Sequence, residues 1–220
     1  MLMPEQLGDL PYADLLTKHD GPLEPGGEYD VAHFDDIEFA DAEIGNAQFL
    51  ECAFTSVTFS GGTYRRARFN EVWLSGARLV GTDLAETAWR DTSALSCALS
   101  GVDIFGANLR RVTFARCKFD SVNLRAALLD DVTFEDCMLN DLDLGGATLN
   151  HVRFRGSSLR GIRLAQAKLD DVDFRGANEL GLADGYDALR GATIDTTQLI
   201  EIAPALAAVL GITVADLITE

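Results

Sequence analysis

The chain has 220 residues, of which 47% are hydrophobic and 24% charged, with a formal net charge of −17 at pH 7. This length and composition suit one domain with a continuous core, and the acidic balance disfavours a protein that binds nucleic acid directly, because such proteins need a basic face. The sequence has no apolar run long enough to cross a membrane and no amino-terminal secretory signal, so we expect a cytoplasmic protein without a membrane span.

Residues 1–31 are punctuated by proline and glycine and carry seven acids against one base. They lie outside the repeat that follows. The open end of a stack of strands exposes unpaired backbone groups, so a neighbouring segment has to cover it. We therefore interpret residues 1–31 as an N-terminal cap, with a short helix predicted at residues 12–17.

A large apolar or aromatic residue recurs at every fifth position from Phe34 to Phe174, without insertion or deletion. Of the 29 positions in this frame, 28 are large, and Ala94 is the exception. Two positions earlier stands a small or β-branched residue, and the other three positions are mostly polar. A period of five fits neither a helix nor a flat strand, so it predicts a repeat architecture.

Two segments, GANLR at residues 106–110 and GAN at residues 176–178, resemble the A-(D/N)-L-x-x consensus of the pentapeptide-repeat family. The resemblance covers about two thirds of the chain. It implies an all-β fold, a right-handed quadrilateral β-helix with four pentads per coil. At a strand spacing of about 4.8 Å, residues 32–178 would form about seven coils.

A period of twenty residues supports this arrangement. The small position at residues 47, 67, 87, 107, 127, 147 and 167 is Ala everywhere except Thr87, and residues 112, 132, 152 and 172 are all Val. Like residues are therefore expected to stack in columns. At Ala94 we expect a slightly misaligned pentad that Leu95 fills, with a kink as the alternative.

The four cysteines all fall on the small inward position, and the last three are spaced by twenty residues: Cys52, Cys97, Cys117 and Cys137. Stacked thiols are a possible metal site, but no His shares the column and one flat face cannot supply a tetrahedral ligand set. We therefore predict buried, reduced thiols, with no metal and no other cofactor.

The frame fails after Phe174, where Leu180 replaces the large residue expected at position 179. Two glycines follow within GLADGYD at residues 181–187. We interpret residues 179–194 as a loop and an irregular last coil. A loop that projects to contact a partner, as in some family members that act on topoisomerases, is the alternative.

Residues 195–220 are predicted to form a helical C-terminal cap. Asp195 and Gln198 resemble a capping box. Pro204 predicts the first turn of a second short helix, and Gly211 predicts its end.

A helix followed by an apolar tail resembles the gyrase-modulating members of the family, which dimerise through this end. The resemblance implies a homodimer, and a plain cap is the alternative. The apolar residues predicted for the contact are Leu199, Ile202, Leu206, Leu210, Ile212, Val214, Leu217 and Ile218.

The sequence offers no catalytic constellation. His19, His33 and His151 are scattered, and paired acids such as those at residues 130–131 lie on convex, exposed faces where no burial would shift their pKa. We therefore predict that the protein is not an enzyme and has no catalytic residues.

The densest outward acids lie between residues 120 and 143, where Arg125 is the one base. We interpret them as a partner-binding surface, and a solvated surface with weak coil-to-coil ion pairs is the alternative. The seven acids are Asp120, Asp130, Asp131, Glu135, Asp136, Asp141 and Asp143.

The better-understood members of the family mimic duplex DNA and bind DNA gyrase or topoisomerase IV, protecting them from quinolones or other topoisomerase poisons. The acidic charge, the long solenoid and the apolar C-terminal segment resemble that subgroup. This implies a DNA-mimicking protein with gyrase or topoisomerase IV as partner. A scaffold or interaction module with an unrelated protein partner is the alternative.

Overall fold

The computed structural model describes residues 3–215. The chain forms a parallel β-solenoid whose coils each turn through four faces. We number the faces in chain order by the central residue that each carries in one coil: Phe49 on face 1, Phe54 on face 2, Phe59 on face 3 and Tyr64 on face 4. The predicted all-β quadrilateral solenoid is thereby confirmed.

A sheet of fifteen strands wraps faces 1 and 2, and a second sheet of eight strands forms face 3. Face 1 has strands Glu28–Asp30, Gln48–Leu50, Arg68–Asn70, Thr148–Asn150 and Lys168–Asp170. Face 2 has Thr17–Lys18, Ala32–Asp35, Ala53–Thr55, Trp73–Ser75, Arg153–Arg155, Val172–Asp173 and Ala192–Thr193. Three longer strands turn from face 1 onto face 2: Ala88–Leu95, Asn108–Ala115 and Leu128–Glu135.

Face 3 consists of Glu38–Ala40, Thr58–Ser60, Arg78–Val80, Ala98–Ser100, Lys118–Asp120, Met138–Asn140, Ser158–Arg163 and Glu179–Asp184. On face 4 the coils are joined by single bridges, from Glu43–Thr63 through to Asp143–Arg163. Eight strands on face 3 correspond to about eight coils, one more than predicted. The extra coil arises because Glu179–Asp184 continues the sheet beyond the regular frame.

The core follows the predicted columns. Strand partners are twenty residues apart, as in Phe34 opposite Phe54, so residues of one column stack on each other. All 29 positions of the frame are buried. On face 2 the rings of Phe134 and Phe154 lie parallel with centroids 5.1 Å apart, and Phe174 continues the stack at 5.0 Å.

The prediction at Ala94 was wrong. Ala94 stays in register between Leu74 and Phe114 and is itself buried, so no pentad is misaligned. The same coil carries Trp89 on face 1, stacked on Phe69 at 4.3 Å. This coil thus carries both the largest residue of the frame, Trp89, and the smallest, Ala94.

Residues 17–31 lie at the N-terminal end of the rod. The His19 ring packs 5.0 Å from Phe34 and 5.3 Å from Tyr29, and Leu23 joins the same core. The backbone of Thr17 and Lys18 pairs with the first coil.

Residues 3–16 instead lie along the outside of face 2, and we call them the N-terminal strap. They contain two 3-10 turns, Leu7–Asp9 and Ala13–Leu15, where the sequence predicted one short helix. Their apolar side chains form a second cluster with outward residues of four successive coils. The buried members are Leu10, Tyr12, Ala53, Trp73, Leu95 and Ala115.

Polar contacts fix the strap at both ends. The Tyr12 hydroxyl donates to the Glu71 carbonyl oxygen at 2.6 Å, and Trp73 Nε1 donates to the Pro4 carbonyl oxygen at 3.2 Å. Arg116 forms an ion pair with Glu5 at 2.7 Å. Leu95 therefore packs beneath the strap and does not fill the Ala94 position.

The C-terminal helix, Thr196–Val209, is one continuous element. The Asp195–Gln198 capping box is present as predicted, but the second helix expected at Pro204 is not formed, because Pro204 lies inside the single helix. Gln198 Nε2 donates to the Phe174 carbonyl oxygen at 2.8 Å, and Ile202 is buried against the last coil. The helix thus covers the C-terminal end of the solenoid.

Residues 179–194 form an irregular last coil. Glu179–Asp184 pairs in parallel with Ser158–Arg163, with register shifts after Leu159 and Ile162. Leu180 is buried in place of the expected residue 179.

Candidate interaction surfaces

The seven acids predicted as a partner-binding surface do not share one face. Asp130 lies on face 1, Glu135 on face 2 and Asp143 on face 4, while Asp131, Asp136 and Asp141 occupy the three corners between. Asp120 lies on face 3, one coil earlier. The structure therefore arranges them as a girdle around the rod, of which one flat partner surface would meet only part.

Some carboxylates of the girdle are engaged in ion pairs or hydrogen bonds, and others have no ion-pair partner among the residues described. Asp130 pairs with Arg110 at 3.4 Å, and Asp143 Oδ1 accepts the Gly145 N–H at 2.9 Å. Four others are exposed and have no ion pair within residues 3–215: Asp131, Glu135, Asp136 and Asp141.

Two corner carboxylates lean over glycines of the next coil. A Cβ added at Gly161 would lie 2.6 Å from Asp141 Oδ1, and one at Gly156 would contact Asp136 Oδ1 even more closely. Both glycines also have positive φ, +67° and +60°. A side chain at either position would meet the Asp carboxylate of the preceding coil.

A second acidic feature emerges from the stacking of coils. At the corner between faces 1 and 2, five of seven successive coils carry an acid. We call these five residues the acidic row: Glu51, Glu71, Asp91, Asp131 and Asp171. Each adopts a left-handed backbone, with φ between 50° and 57°. The positions differ by multiples of twenty, so reading the sequence at the coil period would have found the row, whereas reading it along the chain did not.

Ion pairs neutralise part of the row. Asp91 accepts from Arg111 at 2.5 and 2.7 Å, and these hydrogen bonds hold the pKa of the Asp91 carboxyl below its usual range. Asp171 pairs with Arg153 at 2.7 Å. Glu51, Glu71 and Asp131 have no ion pair within the described part of the chain.

The C-terminal residues predicted for dimerisation divide into two groups. Ile202 is buried against the last coil and Leu206 is half-buried, so these two support the helix. The residues exposed to solvent are Leu199, Leu210, Ile212 and Val214, joined by Ile200 and Val209. Leu217 and Ile218 lie outside the described residues.

The cysteine column has the geometry of a packed core. The Cys97 N–H donates to Cys117 Sγ at 3.4 Å, and the Cys137 N–H donates to Ser157 Oγ at 3.0 Å. Burial raises the pKa of the Cys52 thiol to about 11. Within residues 3–215, no group of three or more His, Cys, Asp or Glu side chains is arranged to hold a metal ion. No helix there is long and apolar enough to span a bilayer.

Family models support what the geometry indicates. The model for a pentapeptide repeat region matches residues 107–182, and the model for pentapeptide repeats in eight copies matches residues 74–111. The chain is a pentapeptide-repeat protein. No curated protein sequence matches it significantly.

Several solved structures are similar to this chain, and HetL is similar in fold. HetL, involved in heterocyst differentiation regulation in the cyanobacterium Nostoc sp. strain PCC 7120, is 19% identical with a TM-score of 0.51, and the match covers 76% of this chain and 87% of HetL. A trypsin-treated variant of QnrB1, a plasmid-mediated fluoroquinolone resistance protein, is 22% identical with a TM-score of 0.35. That match covers 90% of this chain and 96% of the QnrB1 variant. Rfr23 from the cyanobacterium Cyanothece 51142 is 15% identical with a TM-score of 0.40, and the match covers 50% of this chain and 85% of Rfr23.

Proposed function

We propose that this pentapeptide-repeat protein is a non-catalytic scaffold that presents carboxylates to DNA gyrase or topoisomerase IV in place of duplex DNA. It would thereby modulate these enzymes or protect them from poisons such as fluoroquinolones, without binding nucleic acid itself. The observation that carries the proposal is the acidic row, which places Glu51, Glu71 and Asp131 unpaired along one corner of the rod.

The acidic row carries charge at about half the linear density of a DNA strand. The row has five acids in seven coils, and coils are about 4.8 Å apart, so it carries one acid per about 7 Å along the rod. A DNA strand carries one phosphate per about 3.4 Å. The row alone is therefore sparser than DNA. Where the row crosses the girdle at Asp131, the exposed Glu135 and Asp136 add carboxylates on the neighbouring face and corner.

We propose further that the protein is a homodimer through its C-terminal end. Leu210 is 73% exposed and Val214 is 77% exposed, and contiguous exposed apolar residues of this kind mark interaction sites. A two-fold axis at this end would place two acidic rows symmetrically, as a two-fold enzyme surface requires. Light scattering tests this: full-length protein should have the mass of a dimer at micromolar concentration, and a monomer there would contradict it.

A scaffold for an unrelated partner is the second candidate, and the ion pairs within the row favour it. Arg111 and Arg153 neutralise two of the five acids, which a surface selected only to imitate phosphates would not need. The arginines would instead suit a partner whose surface binds both acidic and basic side chains.

A supercoiling assay separates the two candidates. Purified protein should inhibit gyrase supercoiling, or restore it in the presence of a fluoroquinolone, in a dose-dependent way. Protein with Glu71→Gln and Asp131→Asn should lose most of this effect, and Glu38→Gln with Glu43→Gln, at another part of the rod, is the matched control. No effect of wild type on either gyrase or topoisomerase IV would exclude the first candidate.

A further inference from the structure

Face 4 carries a groove that the proposed function does not use. Phe105 occupies an outward position there and is 44% exposed. In the following coils the equivalent positions are occupied by Arg125, then Gly145 and Ala165, so large side chains are followed by small ones along the face. The result is a groove of about 450 Å³ whose wall is Phe105 and Arg125 and whose floor is Gly145, Gly146 and Ala165. This volume is within the range of about 300–1,000 Å³ typical of ligand sites.

The acids in the groove are already engaged by the backbone. Asp143 Oδ1 accepts the Gly145 N–H at 2.9 Å. Asp184 Oδ1 accepts the N–H groups of Leu164 and Ala165 at 2.9 and 3.0 Å. These carboxylates are thus turned towards the floor, where they hold the backbone in place.

The two arginines in the groove have no such partner. Across residues 3–215, neither Arg125 nor Arg163 has a carboxylate oxygen within 4.0 Å. Arg65, in the same column of face 4 as Arg125, is by contrast paired with Asp83 at 2.6 Å. The groove therefore combines two unpaired guanidinium groups with an exposed aromatic ring.

We propose that this groove binds an acidic peptide segment of a partner protein, with an apolar or aromatic side chain packed against Phe105. Guanidinium groups bind carboxylates in a planar, two-point geometry, which suits Arg125 and Arg163 to acidic side chains. The glycine and alanine floor leaves room for an extended peptide backbone. Buried aromatic anchors commonly provide the central energy of such contacts.

The unpaired charges of the groove are arginines, whereas those of the acidic row are carboxylates, and face 4 lies across the rod from face 2. A long nucleic acid is the less suitable ligand, because its phosphates would also meet the surrounding excess of acids. A short peptide brings few charges and places them only where the arginines are. The groove and the acidic row would therefore bind separate partners.

The probe is a short fluorescein-labelled peptide of alternating Glu and Phe, with fluorescence anisotropy recorded at low and at physiological salt. We expect saturable binding that weakens as salt rises. Arg125→Glu or Arg163→Glu should weaken it by roughly tenfold or more. Ala165→Leu should also weaken it, because Ala165 is exposed and a larger side chain there fills the groove without entering the core.

Arg65→Glu is the matched control and should leave the affinity nearly unchanged, with circular dichroism verifying that each variant is folded. Absence of binding by wild type, equal losses in Arg65→Glu, or equal binding of a peptide with Gln in place of Glu would each overturn the proposal. Tighter binding of a single-stranded oligonucleotide at the same arginines would overturn it in favour of a nucleic-acid site. Because the assay contains no gyrase, its outcome is independent of the proposed function.

Discussion

The two halves of face 2 share a core but have different surfaces. Towards the N-terminus its outward positions are apolar, as in Trp73 and Leu95, and the strap buries them. Towards the C-terminus the equivalent positions carry arginines: Arg155 and Arg175 are exposed, and Arg153 is half-buried in an ion pair with Asp171. The coil requires its inward residues to be mostly apolar, whereas the polarity of an outward residue depends on whether another segment covers the face.

The largest expected difference between the halves comes from one column position. Leu95 and Arg155 occupy the same outward site three coils apart, one beneath the strap and one in solvent. Leu95→Ala should lower the free energy of unfolding by about 2–5 kcal/mol, whereas Arg155→Ala should change it by about 0.5 kcal/mol or less. Urea denaturation of both variants measures this, and equal effects would mean that the strap adds no stability.

A smaller effect is expected from the hydroxyl that ties the strap to the solenoid. Tyr12→Phe removes the hydrogen bond to the Glu71 carbonyl oxygen but keeps the ring in the apolar cluster. Unfolding free energy should fall by about 0.5–1.5 kcal/mol. Hydrogen exchange should show faster opening of residues 3–16 while the core strands stay protected. An unchanged strap would indicate that its apolar contacts alone hold it.

The smallest effect is expected in the open half, where ion pairs replace apolar burial. Arg175 hydrogen bonds lower the pKa of Asp173, so this carboxylate stabilises the fold above its unfolded pKa of about 3.9. That contribution is lost as the pH falls through the lower folded pKa. Because Arg175 is exposed, Asp173→Asn should cost less than about 1 kcal/mol at neutral pH. The difference from wild type should shrink in urea titrations below pH 4, and a difference that grows there would contradict this assignment.

The sequence predicted the core columns and the quadrilateral solenoid because each depends on a local rule that recurs every five or twenty residues. The strap was not predicted, although Trp73 and Leu95 stood at outward positions where polar residues were expected. That pattern indicates that a segment covers the face, but not which segment. At Ala94 the register is kept by backbone pairing with the neighbouring coils, and side-chain size, on which the sequence prediction relied, does not reveal that pairing.

The interaction surfaces were predicted only in part. The girdle acids were identified as outward residues, and the pentad period places them on successive faces of the coil, but it does not show which carboxylates are paired. Ion pairs such as Asp91–Arg111 depend on side-chain conformation, which periodicity does not determine. The acidic row was accessible from the sequence, since its members are multiples of twenty apart.

The most direct test of the central claim is gyrase affinity after the row is neutralised. A variant with Glu51→Gln, Glu71→Gln and Asp131→Asn should bind gyrase roughly tenfold or more weakly at low salt, and the salt dependence of binding should diminish. Its melting temperature should stay close to that of wild type, because exposed carboxylates contribute little to folding. A control with Glu28→Gln, Glu38→Gln and Glu43→Gln should bind like wild type. If wild type binds gyrase and the row variant binds equally well at low salt, the acidic row is not the contact surface.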